Sequence, residues 1–251
     1  MPAGRLFAAG ALPGNGGPSL IYDLNPGTGA VLNSFAAPEL AGGGTVGLAF
    51  DGTHLFYLNG LGSDLLYELN PTTGAVLDSD LITAGSGNYD GLAVVGGQVF
   101  VQDYTLNTIH VFDPVGDTIT RTVTPTAATF GPDLAGGLAG ATGPDGLIGP
   151  INGGNLIAEF NPTTGAFVQG FQPGTGPFLG AAVVDNVIYL GFGNKNAIRM
   201  YSRTGAALGQ ITIPVPVVAL GGDGVSVPPP RRTRTSSTAG SRPARRPVGR
   251  C

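Results

Sequence analysis

The stretch Thr45–Ile82, TVGLAFDGTHLFYLNGLGSDLLYELNPTTGAVLDSDLI, shares one frame with the stretch Tyr89–Val123, YDGLAVVGGQVFVQDYTLNTIHVFDPVGDTITRTV. Each carries four short apolar runs separated by turn residues. In the first the runs are Val46–Phe50, Leu55–Leu58, Leu65–Leu69 and Ala75–Leu77. Between them stand Asp51-Gly52, the segment Asn59–Ser63 and Asn70-Pro71-Thr72-Thr73-Gly74. Asp-Gly, and a proline followed by glycine, supply the backbone angles that tight hairpins require. The pattern predicts a four-stranded antiparallel meander, one blade of a β-propeller.

The frame recurs along the chain. Its clearest marker is the last hairpin turn: Asn25-Pro26-Gly27-Thr28-Gly29, Asn70-Pro71-Thr72-Thr73-Gly74, Asp113-Pro114-Val115-Gly116, Asn161-Pro162-Thr163-Thr164-Gly165 and a degenerate Ser202-Arg203-Thr204-Gly205. The step averages about 44 residues, the length of a four-stranded blade. An all-β, five-bladed propeller over residues 1–227 is expected, with blades near 5–37, 45–82, 89–123, 135–171 and 179–213. The first repeat lacks an innermost strand, and Val217–Gly222 aligns with Gly47–Gly52. Either this carboxy-terminal strand completes the first blade, or it opens a sixth blade cut short by Pro228-Pro229-Pro230. Closure is the expectation, because five blades lie within the usual range.

The 251 residues include 44 Gly and 21 Pro, with 11% charged and 42% hydrophobic residues, a turn-dense composition too apolar for general disorder. No apolar run approaches the roughly 18 residues of a membrane helix, and residues 1–17 do not read as a signal peptide. The single cysteine, Cys251, excludes an internal disulfide. With only His54 and His110 besides, zinc sites built from Cys and His are excluded for a monomer.

Charge is distributed unevenly. Seven of the twelve basic residues fall after residue 230, so the first 227 carry five against all sixteen acids, a formal charge of −11. Such a body repels nucleic acid and anionic membranes. The segment Pro228–Cys251 is Pro, Arg, Ser, Thr and Ala, and a disordered basic tail is expected there. A solvated extension, an arm for acidic partners or for the acidic body itself, and the product of a shifted reading frame are all compatible with that composition.

In a meander, the loops joining second to third strands share one rim with the connectors between blades, and loops on a rigid scaffold are where binding is expected. The loops are Gly10–Pro18, Asn59–Asp64, Asp103–Asn107, Asn152–Asn155 and Gly191–Asn196. The candidate ligand-binding residues are therefore Asp64, Asp103, Asn107, Asn152 and Lys195, with Asp90 and Asp133 added by the connectors. Oxygen ligands here could hold calcium, but no EF-hand or Asp-rich run supports it, and Asn, Asp and Gly are also ordinary turn formers. No cofactor is expected. His54 falls on the opposite rim as a surface residue, and His110 alternates with Val111 and Phe112 as a strand histidine. No Gly-x-Ser-x-Gly elbow and no phosphate-cradling Gly-rich loop ending in Lys-Ser or Lys-Thr occurs.

The Gly-Leu-x-x-Asp-Gly first hairpin and the Asn/Asp-Pro-x-Thr-Gly last turn resemble those of bacterial propeller repeat proteins. These include YncE-like and secreted surface propellers and the five-bladed glutaminyl cyclases. The cyclase likeness rests on Gly47–Gly52, Asn59–Leu65, Asn70–Leu77 and Tyr89-Asp90-Gly91-Leu92, about 60 residues in all. That family has a functional glutamate where Asp90 stands, which would make Asp90 the catalytic candidate. The carboxylate is one methylene shorter here, and the tryptophan-rich pocket of the family is missing. The reading reached from sequence is a non-catalytic binding or scaffold module for a protein or carbohydrate, exported or surface-associated. The alternative is a cyclase-like or lactonase-like enzyme.

Overall fold

In the computed structural model, residues 4–10, 20–39, 46–60, 63–126, 138–140, 146–151, 156–174, 178–192 and 195–223 are described. The candidates Asn152 and Asp133, the loop residues 11–18 and the expected tail at 228–251 lie outside them.

The chain forms five four-stranded antiparallel sheets. The first blade runs β20 (Val217–Gly222), β1 (Leu6–Gly10), β2 (Leu20–Leu24) and β3 (Val31–Ala36) from axis to periphery. The second is β4 (Val46–Phe50), β5 (Leu55–Asn59), β6 (Leu65–Leu69) and β7 (Val76–Leu81). The third is β8 (Tyr89–Val95), β9 (Gln98–Asp103), β10 (Thr108–Asp113) and β11 (Thr118–Val123). The fourth is β12 (Ala139–Gly140), β13 (Leu147–Ile151), β14 (Leu156–Phe160) and β15 (Phe167–Phe171). The fifth is β16 (Phe178–Val184), β17 (Val187–Phe192), β18 (Ala197–Ser202) and β19 (Ala207–Thr212). Inner strands of successive blades touch around the axis, and β16 contacts β20 to complete the circuit. The ring closes as the alignment of Val217–Gly222 implied: β20 pairs antiparallel with β1, Leu6 opposite Gly222 and Ala9 opposite Ala219.

Each strand of a blade has two faces to cover, and each face meets a neighbouring blade. In β1, Leu6 and Ala8 pack with Val184 and Tyr189 of blade five, while Phe7 and Ala9 pack with Leu48 and Tyr57 of blade two. In β5, Leu55 and Tyr57 turn to blade one, while Phe56 and Leu58 meet Leu92 and Val101 of blade three. Two further clusters join blades three to four and four to five. Inner strands are therefore apolar at nearly every position, whereas the peripheral β3 and β7 alternate and stay open to solvent.

The Asn-Pro-x-Thr-Gly turn has a physical reason at each position. Asn70 Oδ1 accepts from the amides of Thr72 (2.9 Å) and Thr73 (3.0 Å), and the Gly74 amide returns to the Asn70 carbonyl at 2.9 Å. Asn25 and Asn161 repeat this side-chain capping. The closing glycine has positive φ, 71° at Gly74 and 72° at Gly165. It also lies against the preceding blade. A Cβ on Gly74 would fall 2.4 Å from the Phe35 ring, and one on Gly165 would fall 2.4 Å from the Thr124 carbonyl oxygen. Gly29 meets Thr212 and Gly205 meets Phe171 in the same way, but Gly116 faces only its own turn. Two arginines reinforce this docking across blade seams. Arg5 donates to the Pro71 carbonyl at 3.1 Å, and Arg121 to the Pro162 carbonyl at 3.0 Å.

Gly165→Ala is expected to destabilise the ring by about 2–4 kcal/mol, from strain at positive φ together with overpacking against backbone. Gly74→Ala should cost less, because the Phe35 ring can move, and Gly116→Ala should cost least. Urea midpoints of the three variants check this order; equal losses would remove the seam from the explanation.

Candidate functional site

Antiparallel pairing puts the β5–β6, β9–β10 and β17–β18 loops on one rim with the blade connectors, and the Asn-Pro turns on the other. On the loop rim, the connector Thr83–Asn88 between blades two and three lies against the loop after β9. Asp103 ends β9, is fully buried, and organises both. Its Oδ2 accepts from the Ser86 amide at 2.6 Å, and its Oδ1 accepts from the Ser86 hydroxyl at 2.7 Å and the Leu106 amide at 3.0 Å. His110, one strand outward, brings Nε2 to 3.8 Å from Asp103 Oδ2 and holds Thr122 Oγ1 through Nδ1 at 3.1 Å. Gly85 (φ 89°) passes over this pair so closely that a Cβ would stand 2.4 Å from Asp103 Oδ2 and 2.5 Å from His110 Nε2. Burial alone would raise the carboxyl's pKa, but the Leu106 and Ser86 hydrogen bonds and His110 outweigh it and hold it below the ordinary aspartate value.

The connector also gathers the other two aspartates. Asp90 is the extra residue of a β-bulge between Tyr89 and Gly91 and is 1% exposed. Asp64 sits at φ 58°, accepts the Ile82 amide on its carbonyl at 3.0 Å, and has its carboxyl pKa raised by burial. Tyr89 links them: its hydroxyl donates to the Ala84 carbonyl, and burial, then Asp64 and Asp103, push its pKa up to about 12. Asp64, Asp90 and Asp103 thus share one neighbourhood. Asn107 (φ 53°) turns the adjacent loop. Lys195 does not join them. It lies in blade five, its ammonium 5.6 Å from the Phe192 ring centroid.

The sequence reading passed over two features and placed a third, His54, only as a surface residue. Glu39, in the connector from blade one, accepts from the Tyr67 hydroxyl (2.6 Å), from Ser63 and from Asn59 (3.4 Å), and these bonds hold its pKa down against the opposing effect of burial. Glu159 is buried in a pair with Arg203 and takes Gln169 at 2.6 Å. His54, expected at the surface, is wedged between Asp51 (3.4 Å) and Glu68 (3.6 Å). Aligning third strands by column would have exposed one signal, the acids Asp23, Glu68 and Glu159 at one position.

Asp103 is committed to holding the loop rim together. A general base works best with a pKa near the operating pH, and Asp103 is shifted the other way. The Ser86 hydroxyl donates to a carboxylate, not to a histidine, so the relay that activates a serine nucleophile is not assembled. Among the described residues no group of three or more His, Cys, Asp or Glu side chains is arranged to hold a metal ion. Among the described residues, one small cavity lies by Glu159 and Arg203 and another lies among the inner strands beside Leu48 and Leu92.

No protein-family description matches this chain, and no curated protein matches its sequence. Solved structures do match. Glutaminyl cyclase from Myxococcus xanthus is similar at 18% identity and a TM-score of 0.54, over 66% of this chain and 69% of that one. A chain of the nidogen/laminin complex is similar at 13% identity and a TM-score of 0.57, over 88% and 98%. Both likenesses are of the propeller fold.

Asp103→Ala is expected to cost about 2–4 kcal/mol at pH 7, since the carboxylate accepts three hydrogen bonds and its loss orphans their donors. Because the folded pKa lies below the unfolded value of about 3.9, the stabilisation is complete above that value and is lost as pH falls through the folded pKa. Urea unfolding of wild type and variant should therefore differ most at pH 7, and the difference should shrink as pH falls through the folded pKa. A gap independent of pH would contradict the ionised role.

Proposed function

We propose that the chain is a non-catalytic propeller that binds a protein or carbohydrate partner on its loop rim, as an exported or surface-associated module. The observation that carries this reading is Asp103. The most buried of the candidate carboxylates is tied into the rim's own backbone, fixing loop shape rather than facing a substrate. Rigid loops held this way suit recognition, because little ordering remains to oppose binding. Leu106, 51% exposed at the tip of the loop that Asp103 anchors, offers an apolar contact beside Asn107. The nidogen/laminin structure places a propeller-like chain in a protein complex, an analogy of fold only. The negative charge of the first 227 residues disfavours nucleic acid as the partner.

Two measurements on the full chain test this. Binding screened on glycan and extracellular-protein arrays is expected to give a ligand whose affinity drops at least tenfold in the double variant Leu106→Ala, Asn107→Ala; a ligand indifferent to that change would move the site off this rim. Incubation with a peptide bearing amino-terminal glutamine, or with a lactone, is expected to release no product above the uncatalysed rate. Turnover abolished by Asp90→Ala would replace the binding reading with an enzymatic one. No cofactor belongs to the proposal, so the melting temperature should be equal in chelator and in calcium. A calcium-dependent rise of several degrees would put an ion into the account.

A further inference from the structure

The five cations of the propeller body fall into two groups. Arg5 pairs with Asp23 at 2.5 Å and caps the Pro71 carbonyl, Arg121 holds the Pro162 carbonyl and Gln98, and Arg203 pairs with Glu159. The side chains of Arg199 and Lys195 have no carboxylate or hydrogen-bond acceptor among the described residues. Both converge on one ring: the Arg199 guanidinium carbon is 4.2 Å and the Lys195 ammonium 5.6 Å from the centroid of Phe192.

Comparison within the repeat shows what this place normally holds. In blade two, Tyr67 stands opposite Tyr57, two residues before the end of β5, and donates to the Glu39 carboxylate at 2.6 Å. In blade three, His110 stands opposite Val101, two residues before Asp103, and has that carboxylate at 3.8 Å. In blade five, Arg199 stands opposite Leu190, two residues before Phe192. The polar side chain is now a guanidinium, and the position of Asp103 holds a phenyl ring. The chain supplies a carboxylate at this place in blades two and three. In blade five it supplies two cations and no acid.

The arrangement is held in place. The Lys195 amide donates to the Phe192 carbonyl at 3.1 Å, which ties the lysine to the strand that carries the ring. Asn196 ties the loop to the next connector, donating from Nδ2 to the Pro214 carbonyl and accepting the Ile213 amide, each at 3.1 Å. A guanidinium stacked on an aromatic ring keeps its edge free for paired N–H donors, the geometry that recognises a planar oxyanion.

We propose that Arg199 and Lys195, on the Phe192 platform, form a binding site for a carboxylate-bearing ligand. The ligand's carboxylate occupies the place that Glu39 and Asp103 fill in blades two and three. A singly charged carboxylate fits better than a polyanion, which the acidic body repels. The proposal extends the reading of the loop rim as a binding surface by naming the chemistry recognised at blade five.

Lys195 is the only lysine in the chain, which gives a clean probe. Reductive methylation of the full chain with carbon-13 formaldehyde yields one lysine signal, assigned by its loss in Lys195→Arg. Titration with N-acetylglycine, a monocarboxylate, at constant ionic strength, balanced with chloride, is expected to shift that signal saturably. Arg199→Gln should weaken the binding at least tenfold while keeping the wild-type melting curve. A shift that never saturates, or one unchanged in Arg199→Gln, overturns the site, and saturation by inorganic phosphate alone overturns the carboxylate assignment. If Arg199→Gln unfolds, Arg199→Lys carries the same test: weaker binding supports the guanidinium role, and equal affinity overturns it. Failure here leaves the binding-module reading intact, because that reading is measured at Leu106 and Asn107 in blade three.

Discussion

A four-stranded sheet with apolar side chains on both faces cannot exist alone in water, and this constraint governs the molecule. Every blade exposes two such faces, so each must find a neighbour on either side, and a linear row would leave two faces bare. Pairing of β20 with β1 removes those ends by building the first blade from both parts of the chain. The five interblade clusters then form one continuous circuit of buried contacts. Hydrophobic burial is the main favourable term in folding, so ring closure and stability are hard to separate here.

Polar groups are arranged around that circuit in two ways. On the turn rim, arginines and turn glycines let one blade dock on the next without leaving backbone carbonyls unpaired. The seam between blades two and three departs from this, since the turn at Asp113–Gly116 lacks the docking glycine. Acids gather there instead: burial first, and then Asp117, Asp78 and Glu68, raise the pKa of Asp80. On the loop rim, Glu39 and Asp103 fix connectors through hydrogen bonds to side chains and amides. A buried carboxylate is tolerated because the acceptors are satisfied, and the same satisfaction removes it from proton-transfer chemistry.

The repeat was legible in the sequence because turn chemistry is local. Asn-Pro-x-Thr-Gly names its own hydrogen bonds and its own positive φ, so three copies and two degenerate ones at a step of about 44 residues imply five hairpins before any contact is known. The alignment of Val217–Gly222 with Gly47–Gly52 carried the closure for the same reason. The rim was legible only as a set of loops. Asp64, Asp90 and Asp103 could be placed on one side of the ring, but nothing in their spacing says that Ser86 and Leu106 occupy the oxygens of Asp103.

The sequence by itself therefore determined the strand order within blades, the number of blades and the rim on which each loop lies, all consequences of short-range turn geometry and apolar runs. Only the tertiary structure decided which polar groups meet across a seam: Arg5 with Pro71, Glu39 with Tyr67, Asp103 with Ser86, and Arg199 with a ring where an acid stands in blade three. Those pairings join residues from different strands and connectors, and they depend on the twist and distance of packed sheets. Periodicity carries no record of that geometry.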